Sequence, residues 1–147
     1  MNVTKLILRP KQILRLALVV GTFNGFALAQ TVVVQILNGR NGKPIPKVRV
    51  WVGFDDQKSR PPLDLKTDRQ GEVQFETNGA KTFQVSPVGE IACREQQFAA
   101  PIDYSIEDIL KAGMVTRNDC GHSNPAPSRG RLIYVVRPAT WWELFKN

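Results

Sequence analysis

The sequence contains little of the chemistry that enzymes and metal sites need. It has one histidine, His122, and two cysteines, and no Gly-x-Ser-x-Gly, Gly-Lys-Ser/Thr or Gly-x-Gly-x-x-Gly segment occurs in it. Those motifs position a serine nucleophile, a nucleoside triphosphate or a dinucleotide. Their absence argues against a serine hydrolase, a phosphate-loop protein and a dinucleotide-dependent enzyme.

The chain also lacks a hydrophobic run that is long enough to span a bilayer. The apolar run at 16–29 is shorter than the roughly 20 residues of a transmembrane helix. The residues before it include four basic and no acidic side chains. It ends in Ala27-Leu-Ala29, and signal peptidase requires small side chains at these two alanine positions. We therefore expect residues 1–29 to be a signal peptide that is cleaved between Ala29 and Gln30. An uncleaved, loosely inserted anchor is the alternative.

Cleavage would change the charge of the protein. The full chain carries 20 Lys and Arg against 13 Asp and Glu, a net charge of +7, and loss of Lys5, Arg9, Lys11 and Arg15 leaves +3. No run of five or six like charges remains, so nucleic acid is not an expected partner. We expect residues 30–147 to form a single domain, periplasmic or extracellular, with no stable membrane span after cleavage.

The two cysteines, Cys93 and Cys120, predict a disulfide, because an even count in an exported protein favours pairing. On the chain-entropy account, this bond would stabilise the fold by roughly 3 to 4 kcal/mol. A reactive thiol or a metal ligand in Asp119-Cys-Gly-His-Ser123 is the alternative. Zinc requires three or four ligands, and one histidine near one cysteine does not supply them. We therefore predict no metal, no cofactor and no catalytic residue.

Short segments of alternating or β-branched residues predict an all-β fold. In the clearest one, Val48, Val50, Val52 and Phe54 face one way while Trp51 lies on the polar face. We expect an antiparallel, Greek-key-like β-sandwich of about seven strands. The principal predicted strands are 31–37, 47–54, 63–67, 72–76, 81–87 and 131–137.

Turn and cap residues refine this prediction. The turn Asp68-Arg-Gln-Gly71 predicts a hairpin between 63–67 and 72–76, and Val88 to Cys93 is expected to extend the preceding strand or pair back on it. Ser105, three residues before Asp108, has the spacing of a helix N-cap, and Gly113 is a stop signal. One short helix is therefore predicted near residues 105–112.

Paired carboxylates raise the possibility of a glycosidase or a calcium site, but all of them fall in turns or at the helix start, where acidic residues have structural roles. The pairs are Asp55 with Asp56, Glu107 with Asp108, and Asp64 with Asp68.

Four aromatic residues are candidates for a ligand or partner surface. Trp51 is on an outward strand face, and Trp141, Trp142 and Phe145 cluster near the C-terminus. An exposed aromatic cluster can bind a sugar ring or a partner protein. The alternative is a tail that folds back and covers one end of the sandwich.

Two segments resemble the carboxypeptidase regulatory-like domain, a prealbumin-like (transthyretin-like) sandwich. They are Gly42-Lys-Pro-Ile-Pro-Lys-Val-Arg-Val50 and Thr67-Asp-Arg-Gln-Gly-Glu-Val-Gln-Phe75. The resemblance covers the region from Val34 to Val85 and does not include Cys93 or the residues after it. The ending from Arg131 to Phe145 resembles the tails of small exported bacterial proteins that carry such a domain alone.

The resemblance implies an exported, non-catalytic module with a binding or structural role. A transthyretin-related hydrolase shares the sandwich, but the pattern of several histidines and a Tyr-Arg-Gly-Ser ending is missing here. The alternative function is a carbohydrate- or peptide-binding protein that uses exposed tryptophans, with a cell-wall glycan, a peptide or a protein as partner. A small hydrolase is the third possibility.

Overall fold

Short runs of β-branched and aromatic residues form most of the structure. The computed structural model describes residues 30–55, 60–93 and 101–140. Within them the chain forms nine strands and one helix, so the predicted all-β fold is confirmed with more strands than the seven expected. The elements are β1 (Thr31–Asn38), β2 (Arg49–Phe54), β3 (Leu63–Lys66), β4 (Glu72–Glu76), β5 (Thr82–Pro87), β6 (Glu90–Ala92), β7 (Tyr104–Ser105), α1 (Ile106–Ala112), β8 (Met114–Val115) and β9 (Arg131–Pro138).

The strands pair into two sheets. Sheet A has the order β4-β1-β9-β6, with β8 also paired to β9, and sheet B has the order β3-β2-β5-β7. Most neighbours are antiparallel, as predicted, but β9 runs parallel to both β1 and β8. The first and last long strands of the domain therefore lie side by side in the same direction.

The main core lies between the sheets and follows the alternation in the sequence. Val32, Val34 and Ile36 of β1 are buried, as are Val50 and Val52 of β2. A row of aromatic rings crosses the core, and the centroids of successive rings are 5.2 to 6.2 Å apart. These distances are typical of edge-to-face packing. The row consists of Phe54, Phe75, Phe83, Tyr104 and Tyr134.

The turn at 68–71 forms as expected, but the predicted hairpin is wrong. Asp68 Oδ1 accepts hydrogen bonds from the backbone N–H groups of Gln70 (2.8 Å) and Glu72 (2.9 Å). However, β3 pairs with β2 in sheet B, whereas β4 pairs with β1 in sheet A. The turn thus carries the chain from one sheet to the other, because its residues encode a local reversal and not the choice of partner strand.

The segment after β5 also crosses between the sheets. β6 neither extends β5 nor pairs back on it; it pairs antiparallel with β9 in sheet A. Gly89, with φ of 81°, lies in the turn between them. Both crossings are therefore made at glycine-containing turns.

The predicted helix is confirmed. Ser105 Oγ accepts a hydrogen bond from Asp108 N (3.3 Å) at the N-terminus of α1, and Gly113 ends the helix with φ of 77°. Ile106 and Ile109 are buried against the core. Within the described ranges, no helix has the length and apolar character that crossing a membrane requires.

A second apolar cluster lies on the outer face of sheet A. Leu37, Ile133 and Val135 pack there with Cys93, and the segment around Cys120 covers them. The predicted disulfide joins Cys93 to Cys120, with Cα atoms 5.3 Å apart. Because Ile133 and Val135 alternate with Leu132 and Tyr134 along β9, this strand is buried on both faces.

Candidate functional site

The two segments that carry the family resemblance meet at Thr67. Its hydroxyl donates to the carbonyl of Ile45 (2.9 Å) and accepts from Val48 N (2.8 Å), and its backbone N–H donates to the carbonyl of Val48 (2.9 Å). Thr67 is buried. These residues hold the segment before β2 against the segment after β3, so their contacts are those of a scaffold.

His122 lies on an exposed loop and is not joined to a reactive cysteine. Cys120 is in the disulfide, so its sulfur is not available as a thiolate nucleophile or metal ligand. Asp119 forms an ion pair with Arg117, with Asp119 Oδ1 2.7 Å from Arg117 Nε. In the described part of the chain, no group of three or more His, Cys, Asp or Glu side chains is placed to hold a metal ion.

The carboxylates singled out in the sequence occupy separate structural positions. Asp55 accepts a hydrogen bond from Lys81 N (3.3 Å), and Asp108 is in the first turn of α1 beside Glu107. Asp64 pairs with Arg49, while Asp68 accepts the hydrogen bonds of its own turn. These acids do not converge on one point. Asp56 lies outside the described residues.

Trp51 is the predicted ligand residue that the structure places on a surface. Its side chain is 48% exposed, whereas Phe54 on the same strand is 2% exposed and belongs to the aromatic row. The core row is thus formed by phenylalanine and tyrosine, without Trp51. Tryptophan carries a large apolar surface, and burial of such a ring is ordinarily stabilising. Because Trp51 is exposed, its ring contributes little of this stabilisation to the fold.

Strand register defines the surroundings of Trp51. Directly opposite residues share a face of a sheet, and Trp51 is opposite Asp64 on β3 and Ser86 on β5. Gln84, two residues before Ser86, points to the same side, opposite Gly53. We call this outer surface of sheet B the Trp51 face. The residues that define it are Arg49, Trp51, Asp64, Gln84 and Ser86.

One member of a charged pair lies over the indole ring. Arg49 Nε donates to Asp64 Oδ1 (2.8 Å) and Oδ2 (3.0 Å), and a second guanidinium nitrogen also contacts Oδ2. The Arg49 guanidinium carbon is 5.7 Å from the centroid of the Trp51 ring, within the range of a cation–π contact. Hydrogen bonds from Arg49 lower the pKa of Asp64, and the same bonds raise the pKa of Arg49. The pair therefore stays charged at neutral pH.

The remaining predicted site residues lie mostly outside the described residues. These are Trp141, Trp142 and Phe145 of the tail and Ala27 and Ala29 of the signal. Gln30 is exposed, and its carbonyl accepts a hydrogen bond from Thr77 N (2.8 Å). The tail surface and the cleavage site remain predictions.

Sequence reasoning missed the residues that surround Trp51. The alternation in β5 places Gln84 and Ser86 outward, but nothing local shows that β5 lies beside β2. The sequence offers Asp64 as a possible metal or catalytic carboxylate, whereas in the structure Asp64 accepts hydrogen bonds from Arg49. A scan of the chain against models of known protein families and a search of curated proteins both gave no match.

Proposed function

We propose that the protein is an exported, non-catalytic binding module of the carboxypeptidase regulatory type, and that it binds a carbohydrate on the Trp51 face. The N-terminal pattern that ends at Ala29 supports export. The hydrogen bonds of Thr67 support a scaffolding role for the two motif segments. The disulfide removes the cysteine from the only Cys/His pair that the sequence offers for catalysis.

The exposure of Trp51 carries this proposal. Its ring lies beside the small Ser86 and near Gly53, so a flat ligand can reach the indole from the solvent side. Around it, Arg49, Asp64 and Gln84 supply hydrogen-bond donors and acceptors. An aromatic surface bordered by such groups suits a sugar ring, which has apolar C–H faces and a hydroxyl rim.

The position of β2 favours a carbohydrate over an extended peptide. Peptides that bind by strand addition need the free backbone groups of an edge strand. β2 is hydrogen-bonded to β3 on one side and β5 on the other. The Trp51 face therefore presents side chains and not unpaired backbone, which is the arrangement that stacking on a ring requires.

The test is binding of the exported protein to a panel of soluble cell-wall glycans and peptides, measured by calorimetry. We expect glycan binding to the wild type and its loss in Trp51→Ala. Because Trp51 is half exposed, its replacement should leave the melting temperature nearly unchanged, so loss of binding reports on the surface and not on folding.

The Trp141→Ala/Trp142→Ala variant separates the two tryptophan surfaces. Glycan binding that survives in it and is absent from Trp51→Ala supports the proposal. The opposite pattern would assign binding to the tail. Absence of binding to every compound in the panel would contradict the proposal and favour a structural role.

A further inference from the structure

An open cleft lies at the end of the sandwich where β1 and α1 begin. Its volume is about 810 Å³, which is within the range of small-ligand sites. Ala80, Ile106 and Leu110 form apolar parts of its wall, and Lys81 and Lys111 line it with polar groups. The cleft is therefore large enough for a sugar residue or a similar group.

The charges around the cleft are mainly positive. Of the described residues, Lys81, Lys111 and Arg129 line it with positive charge and Glu107 with negative charge. Arg129 Nε donates to the carbonyl of Lys111 (3.0 Å), which fixes this guanidinium at the rim. Asp55, which accepts a hydrogen bond from the backbone of Lys81 (3.3 Å), adds a second negative charge near the cleft, so three cationic side chains face two carboxylates. The net positive charge of the lining attracts an anionic group.

The cleft continues the Trp51 face along β5. Thr82 lines the cleft, and side chains two residues apart on a strand share a face, so Thr82, Gln84 and Ser86 form one outward row. Ser86 is opposite Trp51. At roughly 3.3 Å per residue, the row from Thr82 to Ser86 spans about 13 Å. A short oligomer can therefore contact Trp51 and the cleft together.

An acidic side chain lies between the two ends of this surface. Asp103 Oδ1 accepts a hydrogen bond from Gln84 Nε2 (2.8 Å), and Asp103 precedes β7 on the same side of sheet B. Its negative charge disfavours an anionic group at the middle of the row. The charge pattern therefore favours binding of an oligomer's acidic group at the lysines of the cleft.

We infer that the ligand is an acidic oligosaccharide, with one ring stacked on Trp51 and a carboxylate of another residue held by Lys81 and Lys111. This inference rests on the proposed function of the Trp51 face and adds the charge class of the glycan. Thr82 and Gln84 line the path between the two contacts.

The test compares oligogalacturonate with its methyl-esterified form of the same length. Both present the same rings, and only the first carries carboxylates. We expect the exported protein to bind the acid more tightly than the ester. Lys81→Ala and Lys111→Ala should each weaken binding of the acid by up to about fivefold, which is the upper range for an exposed charge pair. Added salt should reduce the difference between acid and ester.

Two variants serve as controls. Lys43→Ala removes an exposed lysine near the opposite end of β1 and should leave both affinities unchanged. Asp103→Asn keeps an oxygen for Gln84 but removes the negative charge, so it should tighten binding of the acid and not of the ester. Arg129 is not replaced, because its hydrogen bond to Lys111 also supports the loop.

The outcomes distinguish this inference from the proposed function. Equal affinities for acid and ester, both lost in Trp51→Ala, would overturn the acidic ligand and leave the carbohydrate site standing. Binding of the acid that persists in Trp51→Ala and disappears in Lys81→Ala/Lys111→Ala would contradict the shared site and the proposed function. Tighter binding of the acid that is lost both in Trp51→Ala and in Lys81→Ala/Lys111→Ala supports the inference and the proposed function together.

Discussion

Individual residues of this protein owe their properties to neighbours that are distant along the chain. Arg49 and Asp64 are exposed, yet their hydrogen bonds hold the guanidinium over the Trp51 ring. Gly121 is in a loop, yet a Cβ atom at this position would collide with the backbone of Gly39 and Arg40. Each contact predicts the effect of one substitution.

The Arg49–Asp64 pair predicts that the Trp51 face keeps its arrangement until the pH is low enough to protonate Asp64. Arg49 lowers the pKa of Asp64 through its hydrogen bonds. A carboxylate whose pKa is lower in the folded state stabilises the fold above the pKa of the unfolded chain, and this contribution disappears as pH falls through the folded pKa. We expect the Trp51 indole NMR signal to shift only below about pH 3.9, the ordinary aspartate pKa.

Asp64→Asn provides the comparison for this titration. It removes the acidic group and weakens the hold on Arg49, so the low-pH shift of the Trp51 signal should vanish. A shift that persists in Asp64→Asn would show that another group causes it.

Gly121 predicts a steric limit in the loop beside the disulfide. A Cβ atom at this position would lie 2.5 Å from the carbonyl oxygen of Gly39 and 2.8 Å from the Cα of Arg40. Both are backbone atoms that cannot rotate away. Gly121→Ala should lower the free energy of unfolding by about 1 to 3 kcal/mol, the usual cost of overpacking.

Chemical denaturation measures this cost, and Asn124→Ala is the matched control. Asn124 is exposed in the same loop, so its replacement should change stability little. Equal stabilities of the two variants would mean that the loop shifts away from Gly39 without a cost in free energy.

At the scale of secondary-structure elements, local signals determine where strands and turns occur, and side-chain bonds join the elements. Thr67 is the clearest case, because its hydroxyl and backbone bind the segment from Ile45 to Val48 across sheet B. One residue later, Asp68 forms the turn that takes the chain to sheet A. The junction between the sheets therefore depends on two adjacent polar residues.

Thr67→Val tests the first of these residues. The change keeps the shape of the side chain but leaves Val48 N and the Ile45 carbonyl without the hydroxyl. A buried polar group without a partner costs about 1 to 3 kcal/mol, so unfolding by urea should occur at lower concentration. Thr31→Val, at the more exposed start of β1, is the control and should change the midpoint little. Similar midpoints for Thr67→Val and wild type would contradict this role.

At the scale of the whole molecule, the residues that the structure describes form three stacked layers. Sheet B packs on sheet A across the aromatic core, and the disulfide-bonded segment packs on the outer face of sheet A. Asn118 helps to fix this segment, since its side-chain nitrogen donates to the carbonyls of Gly39 (2.9 Å) and Ser123 (2.6 Å). The third layer explains why Ile133 and Val135 are buried on a face that a two-layer sandwich would expose.

The disulfide predicts a graded loss of stability. Cys93→Ala/Cys120→Ala should lower the free energy of unfolding by about 3 kcal/mol, because a closed loop restricts the unfolded chain. Hydrogen exchange should rise first at residues 116–123 and least between β2 and β5, whose contacts do not involve the bond. Uniformly faster exchange, or unchanged stability, would contradict this division.

The sequence by itself determined the features that depend on near neighbours. The alternation from Val48 to Phe54 established which side chains of β2 are buried and that Trp51 faces outward. The cap at Ser105 and the stop at Gly113 established α1. These patterns are readable because strand and helix periods act over a few residues. The even cysteine count, together with the expected export, predicted the disulfide.

Only the tertiary structure decided the partners. It separated β3 from β4 into different sheets, placed Cys120 over Ile133 and Val135, and brought Ser86 and Asp64 beside Trp51. The hydrogen bonds that Asp68 makes in the turn join it only to residues 70–72, so they do not specify the partner strands. The choice depends on which strand buries Phe75 and Val73 best in the common core, and that is a property of the whole chain and not of the turn.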